Sequence, residues 1–163
     1  MSVNNINDSI PFYKQALASG ELQKIYQSLV VVIQAIRTDF NKEYKGKFAV
    51  ANLLHGYIDY TYFYLQNDFL KNRKLKLAIV LNHKEARFEL WLLGQTKSVQ
   101  ANYWNKLRDV KWINQDSMPH WSIFDVVMVA NPDFDDKETL SNAMLSTFST
   151  LSEEIFTILK TFE

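Results

Sequence analysis

What most constrains the fold of this chain is Lys74–Gly94, KLKLAIVLNHKEARFELWLLG. Leu75, Leu77, Ile79 and Leu81 alternate with Lys76, Ala78, Val80 and Asn82, the period of two that a strand imposes on its side chains. A second run, Arg87–Leu93, is stopped by Gly94. The spacing predicts strands Lys74–Asn82 and Arg87–Leu93, joined as a β-hairpin by His83–Ala86, a turn without the Asn-Gly pair of the tightest hairpins. Arg87, Glu89 and Trp91 then share one face of the second strand. Charge on an otherwise apolar sheet face needs a partner, because an unpaired buried charge is expensive.

The flanking segments supply helices to cover such a hairpin. Ser9 would cap a short helix with Pro11 in its first turn, ended by Gly20. Leu22, Ile25, Tyr26, Leu29, Ile33, Ile36 and Phe40 recur at helical spacing and predict an amphipathic helix over Glu21–Tyr44. Lys47–Gly56 fits neither period. Tyr57–Leu65, YIDYTYFYL, is aromatic and β-branched and predicts a strand, followed by a polar link Gln66–Arg73. Thr96 would cap a helix to about Arg108. A loop with Asn114, Asp116, Ser117 and Pro119 leads to a strand Ile123–Ala130. After the turn Asn131–Asp133, Asp135 with Glu138 resembles a capping box ahead of a long helix carrying Leu140, Met144, Phe148, Leu151, Ile155, Ile158 and Phe162.

The expected fold class is therefore α+β, with the order α-α-β-β-β-α-β-α. A mixed sheet of about four strands would pack with three to four helices, and the helix before the fourth strand allows one parallel pairing. Residues 1–8 are polar and expected to be a flexible tail, with residues 9–163 forming a single domain. The length of 163 residues fits one domain, and 47% apolar against 22% charged residues places the chain among ordinary globular proteins.

Lysine plus arginine and aspartate plus glutamate each number 18, so no global field draws the chain to nucleic acid or an acidic membrane. No cysteine is present, which removes disulfides, thiolate catalysis and cysteine-held zinc. The N-terminus MSVNNINDSIP lacks the basic and apolar regions of a signal peptide, and the longest apolar run, Leu29–Ile33, is far too short to span a membrane. A soluble cytoplasmic protein is expected, with no membrane association, no evident cofactor and a homodimer as one arrangement.

Alternation places Asp59 with Thr61 and Phe63, Arg87 with Glu89 and Trp91, and Asp125 with Val127. With neighbouring strands in register, Asp59, Arg87, Glu89 and Asp125 would meet. Three carboxylates against one guanidinium could bind a divalent metal or hold a proton for acid–base chemistry. The plainer reading is a structural ion pair of Arg87 with Glu89 or Asp59. His83, Trp91 and Trp104 are candidate ligand-binding residues. Trp104, Trp112 and Trp121 would either line an apolar pocket or pack in the core. Lys71, Arg73, Lys74 and Lys76 beside Tyr60, Tyr62 and Tyr64 could suit a single strand of nucleic acid, although solvated lysines and packed tyrosines are the commoner arrangement. The three histidines show no zinc-binding spacing, and no phosphate-binding loop or nucleophile elbow occurs.

The segments GYIDYTYF at Gly56–Phe63, KLKLAIVLNH at Lys74–His83, RFELWLLG at Arg87–Gly94, the pair Tyr103–Trp104 and NPDFDD at Asn131–Asp136 resemble a small bacterial family of domains of unknown function. The resemblance covers most of the chain and implies that Asp59, His83, Arg87, Glu89 and Trp91 belong to family motifs. It implies no reaction. The strand order is also similar to that of restriction-endonuclease-like domains, which hold magnesium with an acid on the second strand and Glu-x-Lys on the third. Here the second strand, LKLAIVLN, has no acid, and Trp91 stands where that lysine belongs. Two functions follow as expectations: a small-ligand or protein-binding module, or a metal-dependent hydrolase or nuclease-like enzyme built on the acidic cluster.

Overall fold

A computed structural model describes residues 5–113 and 116–162. Helices α1 (Ile6–Leu17) and α2 (Glu21–Glu43) come first, then two short strands, β1 (Ala49–Val50) and β2 (Leu54–His55). Strand β3 (Tyr60–Gln66), helix α3 (Asp68–Asn72), strands β4 (Leu75–Asn82) and β5 (Arg87–Gly94), and helix α4 (Lys97–Lys106) follow. Strand β6 (Phe124–Val129) and helix α5 (Lys137–Lys160) complete the chain.

The sheet order is β1-β3-β4-β5-β6, with β2 also pairing β3, and every pairing is antiparallel. The expected α+β single-domain architecture holds at that level. The sheet has six strands rather than about four, and it is not mixed. Leu92 pairs with Phe124, so β6 starts beside the end of β5. Helix α4 and the chain after it return to the same end of the sheet instead of crossing it, which makes the pairing antiparallel. The ambiguous segment 47–56 supplies β1 and β2, an interrupted edge strand that Arg37 of α2 pins by donating to the Val50 and Ala51 carbonyls.

Several boundaries differ from the sequence expectation for local reasons. Tyr57–Asp59 do not continue β3: Ile58 sits at φ +65°, and the Asp59 carboxylate accepts the Tyr57 and Tyr60 amides at 2.7 Å each. The Asx turn ends the extended run. The link after β3 holds α3, capped by Asn67 through the Leu70 amide. Of the expected tail, residues 1–4 lie outside the described residues, while Ile6–Asp8 belong to α1, which Asn5 caps in place of Ser9. Asn114 in the expected loop also lies outside them. The cap of α5 is Asp136, which accepts from Thr139, rather than Asp135.

Helices α2 and α5 cover one face of the sheet. Ile33, Ile36 and Phe40 of α2 and Met144, Phe148 and Ile155 of α5 pack on Phe63, Leu65, Leu77, Ile79, Leu81, Phe88, Leu90 and Leu92. Burial of this apolar surface is the dominant stabilising term. The helical stripe of α2 is only partly used, since Leu22 and Ile25 near its start stay exposed, and α1 buries none of its residues. Among the described residues the opposite face of the sheet carries no helix layer of comparable size, and the polar and aromatic residues gather there.

Candidate functional site

Strand register places the open face in rungs. Tyr60 pairs with Asn82 and Asn82 with Arg87; Tyr62 with Val80, and onward to Glu89 and Val127; Tyr64 with Ala78, and onward to Trp91 and Asp125. Alternation puts all these side chains on one side, so Tyr64 of β3 and Trp91 of β5 face each other across Ala78 of β4. Ala78 forms the floor, Trp91 and Leu93 one wall, and Tyr60, Tyr62 and Tyr64 the other, with Val80 packed in the same cluster. Gly56, Tyr57 and Asp59 close one end; Thr96, Lys97 and Gln100 at the start of α4, with Trp121, close the other. The resulting cleft has a volume of about 360 Å³.

The rings are held in place. Tyr60 meets Trp91 edge to face at 4.9 Å, and Tyr62 meets Tyr64 at 5.5 Å. Burial pushes the Tyr64 phenol up to about 12, with Tyr62 beside it adding to the shift, so the Tyr64 hydroxyl is neutral near neutral pH. Lys76 lays its ammonium over the Tyr64 ring at 3.7 Å, and burial lowers its pKa from the ordinary value. Gln100 accepts the Gly94 amide through Oε1, and its Nε2 donates to no protein acceptor among the described residues. That approach requires a glycine: a Cβ on Gly94 would lie 2.7 Å from the Gln100 amide nitrogen. A Cβ on Gly56 would run into Asp59 Oδ1, the oxygen that accepts the Tyr57 and Tyr60 amides.

The expected convergence of Asp59, Arg87, Glu89 and Asp125 is partial. Arg87 and Glu89 do pair, Nε donating to Oε2 at 3.0 Å. Glu89 is only 2% exposed and also accepts Asn82 Nδ2 on Oε2 and the Trp91 indole on Oε1, each at 3.0 Å. Its carboxylate is a hub that fixes Trp91, with both oxygens engaged. Asp125 shares the face; burial, and then the Glu89 charge, raises its pKa. Asp59 does not join them, being spent on the turn before β3. Among the described residues, no group of three or more histidine, aspartate and glutamate side chains is placed to hold a metal ion.

The ligand-binding candidates separate as well. Trp91 lines the cleft. His83 sits on the other side of the sheet, where Nε2 bonds Thr61 Oγ1 at 2.8 Å and the ring stacks on Tyr26 at 4.9 Å. Trp104 is buried in the helix-side core, where Trp112 also packs. Trp121, by contrast, reaches the cleft. The tyrosines of β3, read from the sequence as packed under a helix, in fact face the open side. The sequence marks Thr96 only as a helix cap and does not single out Gln100, since only the docking of α4 beside Gly94 brings them to the rim.

Fold and cleft together define a class: a two-layer α+β domain with an antiparallel sheet, one face under helices and the other forming an aromatic cleft. The chain belongs to the family described as Domain of unknown function (DUF7000), which it matches over residues 6–159. No curated protein and no solved structure matches it. Among the described residues, no helix is long and apolar enough to cross a membrane.

Proposed function

We propose that this protein is a binding module for a small organic ligand with a planar ring, held in the cleft on the open face of the sheet. The observation that carries the reading is the opposition of Tyr62 and Tyr64 to Trp91 across the small residue Ala78, in a cleft of about 360 Å³. Sites of this size with apolar walls and a few polar groups at the rim are the usual form of small-molecule pockets. Nothing comparable supports the hydrolytic alternative, because Glu89, the acid it needs most, has both oxygens bound to protein donors.

The ring-only probes indole and naphthol test this directly. Titrated into isotope-labelled protein, they are expected to move the indole N–H resonances of Trp91 and Trp121 saturably while those of Trp104 and Trp112 stay in place. Ala78→Phe, which fills the floor, is expected to abolish the shifts while melting remains cooperative. Equal shifts at all four tryptophans, or none, would remove the cleft as a binding site.

A homodimer is the second reading. The observation favouring it is the bare apolar surface of α1, where Ile6, Phe12 and Tyr13 are exposed. Sedimentation over a wide concentration range reads it.

A further inference from the structure

The aromatic cleft does not end at Tyr64. Past Tyr64, Lys76 and Gln95 it opens into a second groove of about 480 Å³, bounded by Lys71, Lys74 and the edge residues Ala49–Ala51. Every charged side chain lining that groove is a lysine. Lys71, Lys74 and Lys76 form no ion pair with a carboxylate among the described residues. Lys76 stands at the junction, half-buried, its ammonium over the Tyr64 ring.

Lys74 adds an independent observation. It enters β4 at φ +56°, a left-handed conformation that glycine adopts freely and lysine does not. A cation therefore stands at a position that glycine would occupy with less strain, as Ile58 and Ala86 also do, and here it stands on the rim of the groove.

We propose that the joined cleft and groove take a free nucleotide, its base between the β3 tyrosines and Trp91 and its phosphate among Lys71, Lys74 and Lys76. The inference rests on the reading of the cleft as a small-ligand site. Bases stack on aromatic side chains whatever their sequence, and ammonium groups satisfy phosphate oxygens with charge-assisted hydrogen bonds. A free nucleotide is favoured over a strand for two reasons. The far end of the cleft is closed by Gly56, Tyr57 and the Asp59 carboxylate, which would repel a continuing phosphate backbone. The chain also has no net charge to draw in a polyanion.

Calorimetric titration of the full chain at low salt, using the pairs adenosine–AMP and cytidine–CMP with inorganic phosphate alone, tests the proposal. The nucleotide of at least one pair is expected to bind about tenfold more tightly than its nucleoside, as hydrogen bonds to a charged group allow. Inorganic phosphate is expected to bind more weakly still, and the preference should shrink as salt rises. Lys74→Gly separates binding from folding: its melting temperature is expected to equal or exceed that of the wild type, with nucleotide affinity reduced and nucleoside affinity unchanged. Lys76→Met, which also removes the ammonium from the Tyr64 ring, is expected to lower nucleotide affinity more than nucleoside affinity.

Equal binding of nucleoside and nucleotide, with both lysine variants silent, would overturn the inference while leaving the aromatic cleft intact. Inorganic phosphate binding as tightly as the nucleotides, or no nucleotide binding at all, would also overturn it. A short oligonucleotide binding more tightly per nucleotide than AMP or CMP would replace the free nucleotide with a strand. Failure of indole and naphthol to reach Trp91 is the separate result that removes the underlying reading.

Discussion

The carboxylate of Glu89 accepts the indole N–H of Trp91 at 3.0 Å, two residues along the same strand. Same-face neighbours on one strand thus fix each other: the acid sets the orientation of the ring that walls the cleft. The second oxygen, taken by Arg87 and Asn82, holds the carboxylate against rotation. Charge on this face thus fixes aromatic geometry.

Glu89→Gln is expected to destabilise the fold by about 2 kcal/mol, measured by denaturant unfolding. An amide has one acceptor oxygen for donors on two sides, so its NH₂ must face either the Trp91 N–H or the Asn82–Arg87 pair. The cost is below that of breaking a fully buried pair because the Arg87 side chain is 34% exposed to water. The Trp91 indole resonance should shift as well. Unchanged stability with an unmoved resonance would mean the hub is dispensable.

His83 makes stability depend on pH. Burial pushes its imidazole below the ordinary value of 6.5; the Asp59 charge opposes that push and His55 adds to it. Between the depressed native pKa and 6.5 the unfolded chain binds more protons than the native one. Stability is therefore flat above that window, falls as pH drops through it, and levels off below the native pKa. His83→Gln, whose amide can still bond Thr61, should lack this component. The gap in melting temperature between wild type and variant should then narrow in the variant's favour on acidification from about pH 7.5 to about pH 5.5. A gap that stays constant would show that His83 titrates alike in both states.

Gly94→Ala is expected to cost about 1–3 kcal/mol, the usual range for forcing extra volume into a packed contact. The new methyl would meet the Gln100 backbone at 2.7 Å, and backbone cannot rotate away as a flexible side chain can. Helix α4 must move off β5, carrying Thr96 and Gln100 from the rim of the cleft. A variant as stable as the wild type, with ring-probe binding intact, would show that α4 is not held this tightly.

The β4–β5 hairpin and helices α2 and α5 were legible in the sequence because each repeats one period over many residues: two along Leu75–Asn82, and three to four along Leu140–Leu159. The Thr96 cap was legible for a related reason, since capping is chemistry between a side chain and an amide three residues away. Where local chemistry competed with the period, the reading slipped. Tyr57–Asp59 look like strand by composition, yet the Asp59 carboxylate turns them. The two-residue strands β1 and β2 carry too few residues to show any period.

For the site, the sequence by itself determined that Arg87, Glu89 and Trp91 share a face, because alternation along one strand is covalent geometry. It could not say that Asp59 would be taken up by the turn before β3, that His83 would turn to Tyr26, or that Tyr62 and Tyr64 would stand opposite Trp91. Those facts depend on which strands pair and in what register, and a shift of one residue would send every ring to the other side. Tertiary structure also decided which face stayed open. Helices α2 and α5 had apolar surface enough to cover one side of the sheet, where Phe63, Phe88 and Leu90 point. The tyrosines of β3, with their hydroxyls, were left on the other.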